Sequence, residues 1–263
     1  MGPNLKMRPS AVLLDLDGTI YQGNALIPGA YETLLFLKNE AIPFRFITNT
    51  TRLTKRKLVL MLRDMGLSVS LDDIFAAPHA AAIYCKKRGY KKILLVVPDR
   101  DMDEDFLDFQ LVDSDPEAII LGDMGKGFTF NLVNTLFNHI LDGAELVAMH
   151  KNRFWVSSDG CKLDVGAFVS ALEYASGRPA SIMGKPNSSL FILASEEWNV
   201  AAEDVLMIGD DIEGDVSGAL NAGMKSALVK TGKFRYKALQ SSNIKPNYII
   251  DSIADLPSII NLV

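Results

Sequence analysis

The chain has 263 residues and a mass of 28.8 kDa, with 48% hydrophobic and 22% charged residues, a globular composition that excludes an intrinsically disordered chain. Its 27 Lys and Arg against 32 Asp and Glu leave a net charge of −5. That balance argues against a nucleic-acid partner, because gripping a phosphate backbone needs a basic face. Cys85 and Cys161 are too few for a disulfide framework and suit a reducing compartment. The amino-terminal residues carry no apolar secretory core, and Pro3 after Gly2 with Lys6 breaks the myristoylation pattern. No apolar run approaches the roughly 18 residues of a membrane span. The expected location is therefore cytoplasmic, with no membrane partner.

Short apolar runs alternate with helical patterns along almost the whole chain. Strands are expected at Ala11–Leu16, Phe44–Thr48, Ile93–Val97, Ala118–Leu121 and Leu146–Met149, then at Phe154–Ser157, Ser181–Met183, Val205–Ile208, Ala227–Val229 and Tyr248–Ile250. Between them, Leu58, Leu62 and Met65 recur at helical spacing before Gly66, and Phe130, Val133, Phe137 and Ile140 make a second stripe. This alternation predicts an α/β fold with helices covering a parallel sheet. Residues 79–180 hold 11 Lys/Arg and 15 Asp/Glu, a net of −4, whereas the remaining 161 residues sum to −1. Much of the excess is the cluster Asp99, Asp101, Asp103, Glu104, Asp105 and Asp108, read as a solvated helix start, since acids favour a first turn.

Four polar clusters follow four of the expected strands. Asp15 and Asp17 end the first, Thr48 and Asn49 the second, Lys185 the third in Gly184-Lys185-Pro186, and Asp210, Asp211 and Asp215 the fourth. Ligands of open parallel sheets bind outside the carboxyl ends of the strands, so four clusters at one edge can converge. Each has a plainer reading: a turn at Asp17-Gly18, a cap from Thr48–Thr51 for a helix starting near Leu53, a surface lysine, and a cap from Asp211 or Asp215 for a helix running towards Gly223. The combination favours chemistry.

The residue types suit phosphoryl transfer. A carboxylate can attack phosphorus to form an aspartyl-phosphate. A second carboxyl two residues on points to the same side of the strand, where it can protonate a leaving oxygen and then activate water. Asp15, Asp17 and Asp210 supply hard oxygen ligands, and Lys185 offsets only one of their charges, which calls for a divalent metal, Mg²⁺. Thr48, Asn49 and the backbone N–H groups of the next helix can hold phosphate oxygens.

Asp-Leu-Asp-Gly-Thr at 15–19, Thr48, Lys185 in Gly-Lys-Pro, and Gly-Asp-Asp with Asp215 together resemble the haloacid dehalogenase superfamily of phosphohydrolases. Thr-Asn after the second strand, Ala171–Ala175 before Gly-Lys-Pro, and Thr231-Gly232-Lys233 resemble its NagD-like, p-nitrophenylphosphatase-like branch. The resemblance implies a three-layer Rossmann-like core made of residues 1–78 and 181–263, with residues 79–180 inserted as a C2-type α/β cap. It implies Asp15 as nucleophile and Asp17 as acid/base. Mg²⁺ would sit on the Asp15 carboxylate, the Asp17 backbone carbonyl and Asp210. Thr48, Asn49 and Lys185 would grip the phosphoryl group, with Asp211 or Asp215 supporting the metal or the lysine from behind. The expected partner is a small phosphorylated molecule, hydrolysed as a phosphate monoester, a pyrophosphate or a phosphoamide; self-association stays open. A phosphotransferase or mutase, or a weakly active binding protein on the same fold, stays open too.

Met149-His150-Lys151-Asn152-Arg153 and Asp164-Val165-Gly166 depart from the Thr-Asn-x-Asp and Gly-Pro-Gly patterns of many members. His150, Lys151 and Arg153 are candidates for presenting positive charge to an anionic substrate, against the alternative of an exposed loop. His79 and His139 are read as structural. Gly122-Asp123 also follows an apolar strand, but no acid stands beside it or five residues on, so Asp123 is read as a cap residue.

Overall fold

The computed structural model of the chain describes residues 8–98, 104–157 and 160–260, so Asp99, Asp101 and Asp103 lie outside the described residues. The chain divides into two compact units. The first comprises residues 1–48, 56–75 and 185–263, and the second residues 49–55 and 76–184. The divisions fall at 75/76 and 184/185, where 78/79 and 180/181 were expected, and the stretch after Thr48 groups with the second unit.

The first unit is built on a six-stranded sheet. Its strands are β1 (Ala11–Asp15), β4 (Phe44–Thr48), β5 (Ile74–Ala76), β13 (Val205–Gly209), β14 (Lys225–Val229) and β15 (Tyr248–Ile250), in the order β15-β14-β13-β1-β4-β5. β1 pairs in parallel with both β4 and β13, and β14 pairs in parallel with both β13 and β15. Every residue of β1 and β13 is buried, which is why these central strands read as unbroken apolar runs and not as alternating ones. Helices intervene in the chain: α1 (Ala30–Asn39), α2 (Lys55–Asp64), α6 (Ser188–Ser195), α7 (Ser217–Asn221), α8 (Tyr236–Ser241) and α9 (Leu256–Ile260). α2 buries Leu58, Val59 and Leu62, and Gly66 just beyond it takes a left-handed φ of 94° that ends the helical pattern.

The second unit has its own parallel sheet. β6 (Lys92–Val96), β7 (Gln110–Leu111), β8 (Ala118–Leu121), β9 (Glu145–Ala148) and β12 (Ser181–Ile182) run in the order β12-β9-β8-β6-β7. α3 (Ala77–Arg88), α4 (Phe130–Leu141) and α5 (Val165–Ser176) accompany it, with an antiparallel hairpin of β10 (Phe154–Ser157) and β11 (Gly160–Leu163). Ile119, Leu121, Leu136, Ile140, Leu146, Val169 and Leu172 form one apolar core between sheet and helices. The fold is Rossmann-like α/β in class. Among the described residues no helix is long and apolar enough to cross a membrane.

All ten expected strands are present. Among the described residues five more, β2 (Tyr21–Gln22), β3 (Ala25–Leu26), β5, β7 and β11, have four residues or fewer and carry no period to read. Phe130 is 82% exposed and leaves the stripe of α4, whose inward face uses Leu132, Val133, Leu136, Phe137 and Ile140 instead. The acidic cluster is no solvated helix start where it is described. Residues 104–106 form a single 3-10 turn, and Asp105, nearly buried, accepts a hydrogen bond at 2.9 Å from His79 Nδ1.

Candidate active site

The site of the first unit is laid out by strand register. Asp15, the last residue of β1, stands opposite Ile47 of β4, and Leu14 stands opposite Ile208 of β13. Thr48 and Asp210 therefore each lie one step beyond the level of Asp15, on either side of it. Beyond Asp15 the chain buries Leu16 completely and leaves Asp17 exposed. It then turns at Gly18, whose N–H donates to the Tyr21 carbonyl at 2.7 Å to enter the β2–β3 hairpin.

Lys185 arrives from the chain segment before α6. Asn187 caps that helix by accepting the Ser189 N–H at 2.8 Å, which fixes its start two residues after Pro186. Lys185 is 6% exposed, and its ammonium donates to Asp15 Oδ1 and, at 2.7 Å, to Asp215 Oδ1. Asp215 is brought back to the sheet edge by a tight turn after β13. Asp211 Oδ1 accepts the N–H groups of Glu213 and Gly214 at 2.9 and 3.0 Å, and the Asp211 N–H donates to Asp215 Oδ2 at 3.1 Å. Asp211 is thus a cap, as its plainer reading had it, and Asp215 is the residue that meets the lysine.

Asp210 is held from a loop that the candidate residues did not include. Its Oδ2 accepts the Lys233 N–H at 2.6 Å, and the Thr231 hydroxyl donates to the Gly18 carbonyl. A Cβ at Gly18 or Gly232 would fall 2.0 or 1.9 Å from Asp210 Oδ2, and their φ values of 88° and 55° favour glycine as well. The signal in the sequence was position: Thr231-Gly232-Lys233 follows β14 just as the aspartates follow β1 and β13.

The charges are unevenly answered. Burial and then the charges of Asp15 and Asp215 push the Asp210 carboxyl up to about 8. Burial raises Asp215 to about 6, against the pull of Lys185. Burial alone would lower the Lys185 ammonium, but Asp15 and Asp215 together hold it above its ordinary value. Asp17 is raised by partial desolvation and by the charge of Asp15, with Lys233 and Lys185 opposing.

Asp15, Asp210 and Asp215 each offer a carboxylate oxygen, and these atoms lie within 4.8 Å of one another. Asp210 Oδ1 is buried with no hydrogen-bond partner. Hard oxygen donors, an orphaned buried acceptor and three acids around one ammonium fit a small divalent cation. The Asp17 carboxylate is not part of that cluster, and Asp215 is.

Two expected groups lie in the second unit. Asn49 is there, with its side-chain oxygen so close to Gly184 that a Cβ on the glycine would come within 2.5 Å of it. His150 is 4% exposed, takes the Asn152 N–H on Nδ1 at 3.4 Å and places Nε2 4.0 Å from Asp164 Oδ1, so it presents no charge to solvent. Lys151 is exposed and paired with Glu173, and Arg153 is exposed. Asp164 caps α5.

A parallel α/β sheet with a nucleophile-ready carboxylate, a buried lysine and an acid cluster at its carboxyl edge defines a hydrolase of the phosphoryl-handling kind. The family model described as haloacid dehalogenase-like hydrolase matches residues 12–108, and one described as HAD-hydrolase-like matches residues 182–256. Haloacid dehalogenase-like hydrolase domain-containing protein 2 of Rattus norvegicus is 42% identical over 236 residues, covering 90% of this chain and 89% of the relative. Phospholysine phosphohistidine inorganic pyrophosphate phosphatase of Bos taurus is 36% identical over 250 residues, covering 93% and 91%. The solved structure of the 4-nitrophenylphosphatase of Thermotoga maritima superposes with a TM-score of 0.88 at 30% identity, covering 97% of this chain and 98% of that one. This chain belongs to the haloacid dehalogenase-like hydrolase family, in its NagD-like branch.

Proposed function

We propose that this chain is a Mg²⁺-dependent phosphatase acting on a small phosphorylated metabolite through an aspartyl-phosphate on Asp15. The observation that carries the reading is the buried Asp15 pinned by Lys185, with Asp17 two residues on and free to face solvent. Its named relatives, a 4-nitrophenylphosphatase and a phosphatase of phospholysine, phosphohistidine and pyrophosphate, support phosphate monoesters, phosphoamides and pyrophosphate as the classes to test.

An Asp15 oxygen attacks phosphorus while the bond to the leaving oxygen breaks, and Asp17 gives that oxygen its proton. Partial desolvation and the charge of Asp15 raise the Asp17 carboxyl above its ordinary value, the direction that favours a proton donor. Asp17, now ionised, then takes a proton from water, whose oxygen attacks phosphorus and returns Asp15 as a carboxylate with inorganic phosphate released. Lys185 holds Asp15 in place and meets the phosphoryl charge, and Asp215 holds Lys185. Thr48 and Asn49 supply hydrogen bonds to the phosphoryl oxygens. Asp15, Asp210 and Asp215, with the Asp17 backbone carbonyl, would hold Mg²⁺, which when bound neutralises charge on the transferred group. Both cysteines are unbridged, in keeping with a reducing cytoplasmic setting.

The test is stoichiometric release of inorganic phosphate from p-nitrophenyl phosphate, sugar phosphates, phosphoglycolate, pyridoxal phosphate, nucleotides, pyrophosphate and phosphoamides, with Mg²⁺ and with EDTA. Release that needs Mg²⁺ supports the reading, transfer to another acceptor without free phosphate replaces it with a transferase, and inactivity on every substrate overturns it.

A further inference from the structure

The second unit contains a polar cluster of its own, centred on the strand-end acid Asp123. This carboxylate follows β8 and is 5% exposed. Its Oδ2 accepts the Arg52 Nε–H at 2.7 Å and lies 2.6 Å from Arg52 Nη2, while Oδ1 accepts the Gly125 N–H at 2.8 Å. The Asp123 N–H donates to Thr51 Oγ1 at 3.1 Å. The packing is tight on both sides. A Cβ at Gly122 would meet Thr51 Cβ at 3.4 Å, and one at Gly125 would stand 3.0 Å from Arg52 Nη2.

These bonds fall on a segment that needs them. Residues 49–54 have no helix or strand of their own, and α2 begins only at Lys55. Thr51 does not cap α2, because its hydroxyl oxygen is turned to Asp123. The segment is therefore held at Thr51 and Arg52 by Asp123, and at Asn49 by close packing on Gly184. A guanidinium on a buried carboxylate is a strong, charge-assisted contact, and removing the guanidinium deprives the buried Asp123 of this counter-charge.

We propose that Arg52 and Asp123 are positioning residues that fix Asn49 in the orientation in which it binds the phosphoryl group. They touch no substrate and act through the short stretch Asn49–Arg52. This inference rests on the phosphatase reading and on Asn49 as a phosphoryl ligand. A carboxamide that must hydrogen-bond a phosphoryl oxygen has to be held to within about 0.5 Å, and a segment without regular structure meets that tolerance only if it is tied down.

Kinetics of Arg52→Gln, Asp123→Asn and Asn49→Ala on p-nitrophenyl phosphate with Mg²⁺, combined as double-mutant cycles, test the proposal. Arg52→Gln and Asp123→Asn should each raise KM about 5- to 50-fold with a smaller change in kcat, the scale of a misplaced binding group. Arg52→Lys should recover part of the loss, since it keeps the charge but not the fork. In an Asn49→Ala background the same substitutions should cost less than about twofold, because the residue they act through is gone. Full multiplication of the separate losses, or wild-type KM in Arg52→Gln, overturns the proposal. Should Asp123→Asn fail to fold, Arg52→Gln decides alone, since the Arg52 side chain is 47% exposed. Hydrogen exchange gives a readout independent of turnover: amides of 49–54 should exchange at least about tenfold faster in Arg52→Gln. Unchanged exchange there overturns the clamp even if the wild type hydrolyses nothing, a result that would by itself defeat only the phosphatase reading.

Discussion

Asp123 and Asp210 occupy matching places in the two units. Each follows a glycine at the end of a fully buried parallel strand, and they are 5% and 2% exposed. Asp123 is completed by its own surroundings, with a guanidinium on one oxygen and a backbone N–H on the other. Asp210 is not. One oxygen takes a backbone N–H, the other has no partner among the described residues, and the charges that act on it most, Asp15 and Asp215, are of its own sign, with Lys233 opposing them more weakly. A buried acid that the fold satisfies is part of the scaffold, whereas one that the fold leaves incomplete marks the place where something else must bind. The same dipeptide, Gly-Asp, serves both ends, and only the surrounding charges tell them apart.

The sharpest way to break this contrast is to remove the nucleophile beside Asp210. Asp15→Asn should abolish phosphate release from every substrate in the panel, because an amide cannot form the acyl-phosphate. Release at the wild-type rate would show that the incomplete cluster is not the reacting one. Asp17→Asn should lose about 10²–10⁴-fold in kcat, the usual worth of a positioned acid/base. The loss should be smaller for p-nitrophenyl phosphate, whose leaving group needs little protonation, than for an alkyl phosphate. Equal losses on both would remove Asp17 from the protonation step.

Much of this contrast was legible before the structure. Asp15, Asp17, Asp210 and Asp215 stand at or just after the ends of β1 and β13, strands buried on both faces that read most plainly. β12 before Lys185 is instead half-buried and pairs with β9 in the other sheet, so the expected shared edge does not extend to the lysine's strand. The absence of an acid five residues after Asp123, where Phe128 stands, separated it from Asp210. What could not be read was carried by groups far apart in sequence or by backbone atoms. Arg52 meets Asp123 across 71 positions, and Lys233 holds Asp210 through its N–H, a group every non-proline residue possesses. β5 lies in the core sheet but has three residues, too few for a period. Burial of His150 depends on segments packed around it from elsewhere in the fold and left no mark in the sequence pattern around it.

The stabilities of two conservative variants sharpen the contrast in opposite directions. Asp123→Asn removes a satisfied charge and should cost about 1–3 kcal/mol at any neutral pH. Asp210→Asn removes an unsatisfied one. With its folded-state pKa near 8, above the ordinary carboxylate value, Asp210 binds more protons in the native than in the unfolded state. The sign follows: its contribution is fully present below about pH 4 and is lost as pH rises towards 8. Metal-free wild type should therefore melt lower at pH 8 than at pH 5, and Asp210→Asn should flatten that dependence and raise the midpoint at pH 8. Mg²⁺ should raise the wild-type midpoint and leave that of Asp210→Asn nearly unmoved, since an ion stabilises only the state that binds it. Thermal melts in EDTA and in Mg²⁺ check this, and an Asp210→Asn that melts below wild type at pH 8 in EDTA would make Asp210 a satisfied scaffold acid after all.

The smallest effect is expected at Lys151, next to the buried His150. As a free cation it would steer anionic substrates, and its loss would change the ranking of phosphate esters. Its ammonium, however, lies 2.5 Å from Glu173 Oε2, and Glu173 also accepts the Ala180 N–H at 3.0 Å, so the pair is anchored to the backbone after α5. The carboxyl of Glu173 stays below its ordinary value despite partial burial, because Lys151 and that N–H both favour its charged form. A cation already neutralised by a fixed carboxylate adds little field for an incoming anion. Lys151→Ala should thus leave relative kcat/KM across the panel within about twofold and cost no more than about 1 kcal/mol, the usual worth of a half-exposed pair. A selective loss on pyrophosphate with p-nitrophenyl phosphate untouched would instead place Lys151 among the residues that choose the substrate.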